Sequence, residues 1–319
     1  MKKLLALFSL VAVFILTACG QTTKTDATTT QAVVEGKSEV TLTNGKEDVT
    51  VKTNPKKIVV FDLGVADTIR ELGFVDHIVG MPLKTLPTYL KDLPSSIQPT
   101  GSMVEPDIES IAALEPDLII ASGRTIKYLD QLKEIAPTVI FSVDQKDYWT
   151  SVSKNIRLVA SLFGKEAEAK AEEEIKSLEA SIKKIADANE KSNDKTLTLM
   201  LNEGKISAFG ADSRFAFLYQ SLKFKATDAK IEDSRHGQEM SFEGIKEINP
   251  DTIILLNRTL AIGGDNSNAD TVLNNELFKE TNAVKNNRVI QLTSDLWYLS
   301  GGGLQSTKLM IEDIQKALQ

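Results

Sequence analysis

Two arginines occupy equivalent places in an internal repeat of this 319-residue chain. Arg124 lies in the segment DIESIAALEPDLIIASGRT (107–125), and Arg258 lies in SFEGIKEINPDTIILLNRT (241–259). The two segments align at a constant offset of 134, and eight of the nineteen positions are identical. Because a guanidinium is always charged and presents a planar fork of donors, two of them in one cleft would favour an anionic ligand.

His236 is the second candidate for chemistry, because the chain has only two histidines and this one lies in the polar segment DSRHGQEM (233–240). A loop imidazole can bind a metal ion or transfer protons, and it can equally be a solvated side chain. His77 lies in the apolar segment VDHIVGM and is expected to be structural. A bare zinc or manganese site would require three or four histidine and carboxylate ligands, which two histidines do not favour. The sequence contains neither G-x-S-x-G nor H-E-x-x-H, so a surface enzyme, the alternative class, would have to use His236.

Short apolar runs alternate with amphipathic segments from Pro55 onward, which is typical of an α/β fold. The predicted strands are KIVVF (57–61), DLIIA (117–121), TVIFSV (138–143), TLTLMLN (196–202), TIILLN (252–257) and RVIQL (288–292). A hairpin around Asn44-Gly45 is predicted to precede them. Arg124 and Arg258 each follow a predicted strand, at the sheet edge where ligands bind. Two similar lobes related by a pseudo-twofold would therefore point both arginines into one cleft.

A long helix is predicted between the two halves, because residues 165–192 contain neither Gly nor Pro and are rich in Glu, Ala and Lys. Its apolar stripe at helical spacing consists of Ile175, Leu178, Ile182 and Ile185. About 27 helical residues would extend about 40 Å, the length of a whole lobe. We therefore expect an N-terminal α/β lobe over 39–164, the connecting helix, and a C-terminal α/β lobe over 193–319.

The first nineteen residues predict a lipoprotein signal peptide. Lys2 and Lys3 precede an apolar run that is too short to span a bilayer, and the sequence LTAC that ends at Cys19 resembles a bacterial lipobox. Cys19 is the only cysteine and would carry the acyl groups, and residues 20–38 would form a flexible tether. We expect a monomer held by lipid on the extracellular face of the cell membrane, in a Gram-positive bacterium.

The charge balance argues against nucleic acid as a partner. Without Lys2 and Lys3 the chain has 35 basic and 44 acidic side chains, a formal charge of −9.

After the tether the chain resembles the iron-siderophore substrate-binding lipoproteins of bacterial ABC importers, which have the class III fold of two lobes joined by a rigid helix. The resemblance rests on NPKKIVVFDLGVADTIRELG (54–73), on the EPDLII and NPDTII strands and on the connecting helix. Within that family it is most similar to the binders of catecholate siderophores of the enterobactin and petrobactin type. The resemblance implies a non-enzymatic protein without an intrinsic cofactor. It would deliver a ferric siderophore to an ABC permease of two membrane subunits with its ATPase.

The resemblance also implies roles for individual residues. Three arginines would surround the anionic ligand, and a histidine and a tyrosine would complete the coordination of iron. These residues are Arg124 in ASGRT, Arg214 in GADSRFAFL, Arg258 in LLNRT, His236 in SRHGQEM and Tyr298 in SDLWYLSGGG. Arg235 is the alternative third arginine, and Trp297 is a further ligand-binding candidate. Two surface glutamates, Glu109 and Glu243, would dock on arginines of the permease.

The chemistry of a catecholate agrees with this set of residues. A ferric tris-catecholate is a trianion, and guanidinium groups can donate to its oxygens while covering its rings. A bis-catecholate leaves two positions of the iron octahedron open, which one phenolate and one imidazole can fill. Haem, cobalamin or a hydroxamate siderophore on the same scaffold are the alternative ligands. For single residues, the alternatives are a surface salt bridge for Arg214 and simple packing for Tyr298.

Overall fold

The computed structural model describes residues 38–43, 48–141, 143–232, 234, 236–265 and 267–318, apart from the side chain of Asn268. The predicted signal peptide with Cys19, nearly all of the tether, the turn of the first hairpin and Arg235 lie outside the described residues. What is described forms two α/β lobes joined by one long helix.

The N-terminal lobe contains a parallel sheet of five strands that is covered on both faces. Its elements are β1 (Glu39–Thr43), β2 (Asp48–Lys52), β3 (Ile58–Val60), α1 (Leu63–Leu72), β4 (Ile78–Met81), β5 (Gln98–Pro99), α2 (Ile108–Ala113), β6 (Leu118–Ala121), α3 (Leu129–Ile135), β7 (Thr138–Ile140) and α4 (Tyr148–Ser161). The strand order is β5-β4-β3-β6-β7, and β1 and β2 form a separate antiparallel hairpin. Consecutive residues of β6 face opposite sides: Ile119 packs with α2 and α3, and Ile120 packs with α1 and α4. Because both faces are buried, the strand is apolar throughout instead of alternating.

The long helix α5 (Lys165–Lys191) follows directly. The four residues of its predicted stripe are at most 7 % exposed, and they pack against α4, α12 (Leu304–Ala317) and α1. The stripe is therefore the buried side of an otherwise polar helix. Across the ranges that the structure describes, no helix is both long enough and apolar enough to cross a bilayer.

The C-terminal lobe contains a second sheet, with strand order β11-β9-β8-β12-β13. Its elements are β8 (Lys195–Asn202), β9 (Lys205–Phe209), β10 (Lys225–Ala226), β11 (Gln238–Glu239), α6 (Phe242–Ile248), β12 (Thr252–Asn257), α7 (Arg258–Ala261), α8 (Ser267–Leu273), α9 (Glu276–Lys279), α10 (Asn282–Lys285), β13 (Val289–Gln291) and α11 (Ser294–Leu299), followed by α12. Strands β8, β12 and β13 are parallel, and β9 returns antiparallel to β8. Each of the six predicted apolar runs contains a strand, so the predicted α/β class is confirmed.

The sequence repeat is also a structural repeat. In both lobes a helix (α2 or α6) leads into a buried strand (β6 or β12) that pairs in parallel with the strand at the centre of its sheet (β3 or β8). The repeated aspartates make equivalent hydrogen bonds. Asp117 accepts from the backbone N–H of Lys57 at 3.0 Å, and Asp251 accepts from the backbone N–H of Lys195 at 2.9 Å. Each carboxylate ties the start of its strand to the neighbouring strand, and so holds the repeat unit in register.

Helix α12 follows the C-terminal sheet in sequence but packs against α1 of the N-terminal lobe. Asp67 on α1 is fully buried, and its carboxylate accepts from the backbone N–H groups of Gln305 and Ser306 at 3.2 and 2.9 Å. The hydroxyl of Tyr89 donates to the same carboxylate at 3.0 Å. Burial raises the pKa of Asp67 to about 6, although these donors lower it. The two lobes are therefore joined by α12 as well as by α5, and the predicted lobe boundaries at 39–164 and 193–319 stay predictions.

The Gly-rich turn before α12 allows this close contact. A Cβ on Gly303 would lie 2.2 Å from the carbonyl oxygen of Gly64 and 2.3 Å from Oδ1 of Asp67. Gly301 and Gly302 have φ angles of 109° and 77°, which favour glycine. Only glycine fits at 303, because the backbones of the two lobes touch there.

His77 is a packing residue, as predicted. Its Nδ1 lies 2.7 Å from the carbonyl oxygen of Pro55, and its ring packs edge-on against Phe74 and Phe163.

Candidate ligand-binding site

Three arginines from separate segments converge on Tyr298. Arg124 follows β6, Arg258 is the first residue of α7 after β12, and Arg214 follows β9 just before a π-helical turn, Phe217–Ser221. Their guanidinium carbons lie 5.6, 5.3 and 4.4 Å from the centre of the Tyr298 ring. The two arginines singled out by the repeat thus meet on one residue, and the third candidate of the sequence joins them.

Hydrogen bonds fix this cluster at both ends of the tyrosine. Arg124 and Arg214 each donate from Nη2 to the backbone carbonyl of Tyr298, at 2.9 and 3.3 Å. Arg258 donates from Nε to the phenol oxygen at 2.7 Å, and its Nη1 donates to the side-chain oxygen of Asn202. The guanidinium groups are therefore held in place before any ligand arrives, which reduces the entropy lost on binding.

The cluster has an unusual electrostatic balance. Burial raises the pKa of the Tyr298 phenol, but the hydrogen bond from Arg258 and the charges of the three arginines outweigh burial, so that the pKa lies below its usual value. Burial also lowers the pKa of Arg214, and the neighbouring positive charges of Arg124 and Arg258 lower it further. Three like charges so close together favour an anion that would neutralise them.

A cavity of about 270 Å³ lies beside the cluster and is lined by both lobes. Asp62 and Arg124 line it from the N-terminal lobe, and Arg214, Trp297 and Tyr298 line it from the other side. A second cavity, of about 800 Å³, is also lined from both lobes, by the segment after β4 and by α7, β13 and the start of α11. The larger cavity contains none of the three arginines, so we take the smaller one with its charged wall as the candidate site.

Trp297 is buried, and its indole N–H donates to Asp313 at 2.8 Å. It both packs in the core and lines the cavity.

His236 is not brought into the cluster. Its side chain is exposed, and among the described residues its one hydrogen bond runs from its backbone N–H to the hydroxyl of Ser234, at 3.2 Å. The neighbouring Gly237 packs against the ring of Phe209. The structure places Arg214 beside Tyr298, and Arg235 lies outside the described residues.

Two polar residues of the site escaped the sequence analysis. Asp62 caps α1 by accepting from the backbone N–H groups of Gly64 and Val65, at 3.0 and 3.1 Å. Burial raises the pKa of Asp62, although those two donors and the charge of Arg124 lower it. Asn202 positions Arg258. Asn202 ends β8 and Asp62 lies two residues after β3, so the edge rule that singled out Arg124 would have found them.

The repeated glutamates lie at matching places. Glu109 and Glu243 are exposed in the first turns of α2 and α6. Asp107 caps α2 and Ser241 caps α6, each accepting from a backbone N–H three residues on, at 3.1 Å. Within the described ranges there is no group of three or more His, Cys, Asp or Glu side chains that could hold a metal ion.

Two α/β lobes with a charged cavity between them are an architecture that substrate-binding proteins share with other classes. The model of the Peripla_BP_2 family, periplasmic binding proteins, matches residues 58–296, and the chain belongs to this family. It is therefore a substrate-binding protein and not an enzyme.

Several relatives are similar over their whole length. The iron uptake ABC transporter substrate-binding protein PiuA of Streptococcus pneumoniae is 62 % identical, with a TM-score of 0.86, over 88 % of this chain and 99 % of that one. The petrobactin-binding protein YclQ of Bacillus subtilis is 38 % identical over the full length of both chains, and its crystal structure gives a TM-score of 0.85. The catecholate-siderophore binding protein VctP of Vibrio cholerae is 30 % identical, with a TM-score of 0.81, over 87 % of this chain and 99 % of that one.

Proposed function

We propose that this protein captures ferric catecholate siderophores outside the cytoplasm and delivers them to an ABC permease for iron uptake. The cluster of three arginines on Tyr298 carries this proposal. Each guanidinium keeps its charge at any physiological pH and can donate several hydrogen bonds to catecholate oxygens. Relatives whose names state iron uptake, petrobactin binding or catecholate-siderophore binding support the same class of ligand.

Tyr298 would coordinate iron in one kind of ligand and not in the other. A hexadentate tris-catecholate would be held by the charges and hydrogen bonds of the arginines. A bis-catecholate leaves two coordination positions open, and the Tyr298 phenol with its lowered pKa is prepared to bind Fe(III) as a phenolate. His236 would supply the second position, which requires its loop to move toward Tyr298, since the imidazole is exposed and without a partner among the described residues. Arg235 next to it would then approach the same anion.

Delivery of the ligand to the permease would use negative charges on the surface of the protein. Glu109 and Glu243 would each meet an arginine on one of two permease subunits, and an ATPase would drive transport. The acylated Cys19 would hold the protein on the extracellular face of the cell membrane of a Gram-positive bacterium, with residues 20–38 as a tether. We infer that the protein acts as a monomer.

Tryptophan fluorescence tests the ligand class, because Trp297 lines the cavity. We expect ferric tris- and bis-catecholates to quench the fluorescence of the purified protein at far lower concentration than a ferric hydroxamate, haem or cobalamin. The quenching should persist in Trp149→Phe and should fall in Trp297→Phe. Trp149 is not among the residues that line the cavity, and its indole N–H donates to Glu179 at 3.3 Å. Saturable quenching by haem, cobalamin or a hydroxamate, with none by catecholates, would replace the proposed ligand.

A further inference from the structure

The helix that carries Tyr298 is tied to the N-terminal lobe by a hydrogen-bonded pair of residues. Asp295 lies in the first turn of α11, and its Oδ2 accepts from both the backbone N–H and the hydroxyl of Thr88, each at 2.7 Å. Thr88 belongs to the segment after β4, 207 positions earlier in the chain. The pair therefore joins the two lobes at the larger cavity, which both residues line.

Thr88 is a firm anchor, because the residue after it is held by both its backbone and its side chain. The carbonyl oxygen of Tyr89 accepts from Nη1 of Arg70 at 2.9 Å, and the Tyr89 hydroxyl donates to the buried Asp67 at 3.0 Å. Arg70 and Asp67 both belong to α1. The two donors of Thr88 are thus fixed to the core of the N-terminal lobe.

A second set of bonds ties α11 to α12. Asp313 accepts from the backbone N–H and the hydroxyl of Thr293, at 2.8 and 2.9 Å, and from the indole N–H of Trp297 at 2.8 Å. A helix that is held by one neighbour can turn about that contact, whereas bonds to two separate elements fix its orientation. The bonds between Asp295 and Thr88 supply the second of these two attachments.

The orientation of α11 decides where Tyr298 lies. Tyr298 follows Asp295 by about one helical turn, in a helix of only six residues. Its phenol oxygen lies 2.7 Å from Nε of Arg258, and its carbonyl oxygen lies 2.9 Å from Nη2 of Arg124. Because a hydrogen bond weakens steeply as its geometry departs from the optimum, even a small turn of α11 would separate the phenol from Arg258.

We propose that Asp295 is a positioning residue for Tyr298: by binding Thr88 it holds the phenol between arginines of the two lobes, where it can coordinate iron. Asp295 does not serve as a ligand-binding group, since a carboxylate repels the anion that the three arginines attract. The coordination of iron in this inference rests on the proposed function. The effect of Asp295 on the phenol itself does not depend on any ligand.

The first test examines the phenol without a ligand, by titration of the phenolate absorption of the full-length protein, with Tyr298→Phe identifying the transition. In Asp295→Ala and in Thr88→Val we expect the pKa of Tyr298 to rise toward its usual value, as the phenol moves away from Arg258. Thr88→Ser keeps the hydroxyl and should titrate like wild type. The double variant Asp295→Ala/Thr88→Val should shift no further than Asp295→Ala, because both substitutions remove the same contact.

Ligand binding supplies a second test. The ferric complex of bis-dihydroxybenzoyl lysine should bind Asp295→Ala about tenfold more weakly, roughly the loss of one hydrogen bond to a charged group. The ferric complex of tris(dihydroxybenzoylaminoethyl)amine, a hexadentate tris-catecholate, should stay within about threefold of wild type, since its iron has no open position for the phenol. Asp295→Asn keeps an acceptor oxygen and should bind both complexes like wild type.

The outcomes separate the positioning role from the ligand class. A wild-type titration of Tyr298 in both Asp295→Ala and Thr88→Val overturns the positioning role. Equal weakening of both ferric complexes in Asp295→Ala overturns it as well, because the contact would then only support the fold. If Asp295→Ala does not fold, the exposed substitution Thr88→Val, which keeps the shape of the side chain, decides both tests. If wild type binds neither complex but the phenol titration shifts in the variants, the ligand class fails and the positioning of Tyr298 stands.

Discussion

Arg258 donates a hydrogen bond from Nε to the phenol oxygen of Tyr298 at 2.7 Å, and this bond links the repeat of the C-terminal lobe to helix α11. Because the donor is permanently charged, the bond favours the ionised phenol over the neutral one. The same arginine also bonds Asn202, so it cannot turn away without losing a second partner. One side chain thus adds positive charge to the cluster and favours the ionised form of the Tyr298 phenol.

Replacing that arginine should therefore have two effects. In Arg258→Gln the pKa of Tyr298 should rise toward its usual value, which titration of the phenolate absorption would show, with Tyr298→Phe identifying the transition. Ferric tris-catecholate should bind about ten- to hundredfold more weakly, since a hydrogen bond to a charged group contributes roughly 1.5–3 kcal/mol. Arg157→Gln is the control, because Arg157 pairs with Glu172 at the surface of α5. An unchanged phenol titration in Arg258→Gln would show that the bond does not control Tyr298.

The glutamates should affect transport and leave ligand binding alone. In Glu109→Lys/Glu243→Lys we expect uptake of ferric catecholate to fall by at least about tenfold, because charge matching controls productive encounter with the permease. The affinity of the purified variant for the same complex should equal that of wild type. Glu190→Lys at the end of α5 serves as the charge control. A fall in ligand affinity as large as the fall in uptake would assign the glutamates to the cleft.

Asp67 should make stability depend on pH. Its folded-state pKa, about 6, lies above the usual 3.8, so its contribution to stability is full at low pH and is lost as the pH rises through about 6. The shift corresponds to roughly 3 kcal/mol. Urea unfolding at a series of pH values should show the stability of wild type falling relative to Asp67→Asn by up to that amount between about pH 4 and pH 7.

A difference between wild type and Asp67→Asn that stays constant over this pH range would mean that the Asp67 carboxylate is not penalised by burial.

Short-range patterns in the sequence were sufficient to predict much of this fold. The strands are apolar runs because both faces of each sheet are covered, and the stripe of α5 is apolar because only one side of the helix is buried. The repeat placed Arg124 and Arg258 at matching strand ends. These features depend on residues close in sequence, or on two copies of the same unit, and periodicity detects both.

Contacts between segments that are far apart in sequence could not be predicted from such patterns. The contact of Asp67 with the start of α12 joins residues more than 230 positions apart, and the approach of Arg214 to Tyr298 joins residues 84 apart. Nothing in the periodicity of α1 or α12 specifies the partner across that gap. The position of His236 away from the cluster was missed for the same reason, because the path of a polar loop follows from tertiary packing.

The lipid anchor is a prediction from the sequence alone, since Cys19 lies outside the described residues. Cys19→Ala should release the protein into the medium or leave it unprocessed, and fractionation of cells with labelled fatty acid would show this. The matched substitution Ser9→Ala within the apolar run should leave labelling intact. Labelled, membrane-bound Cys19→Ala protein would contradict the anchor.

Under the proposed function, the arginines respond to the charge of a ferric catecholate, whereas Tyr298 and His236 respond to its open coordination positions. The direct measurement compares the visible charge-transfer band and the affinity of a ferric bis-catecholate and a ferric tris-catecholate in wild type, Tyr298→Phe, His236→Ala and Arg124→Gln. We predict that the bis-catecholate band shifts on binding to wild type and that this shift is reduced in Tyr298→Phe. Tyr298→Phe and His236→Ala should weaken the bis-catecholate far more than the tris-catecholate, and Arg124→Gln should weaken both. Equal losses for both ligands in Tyr298→Phe and His236→Ala, with no change in the band, would contradict ligation of iron by this site.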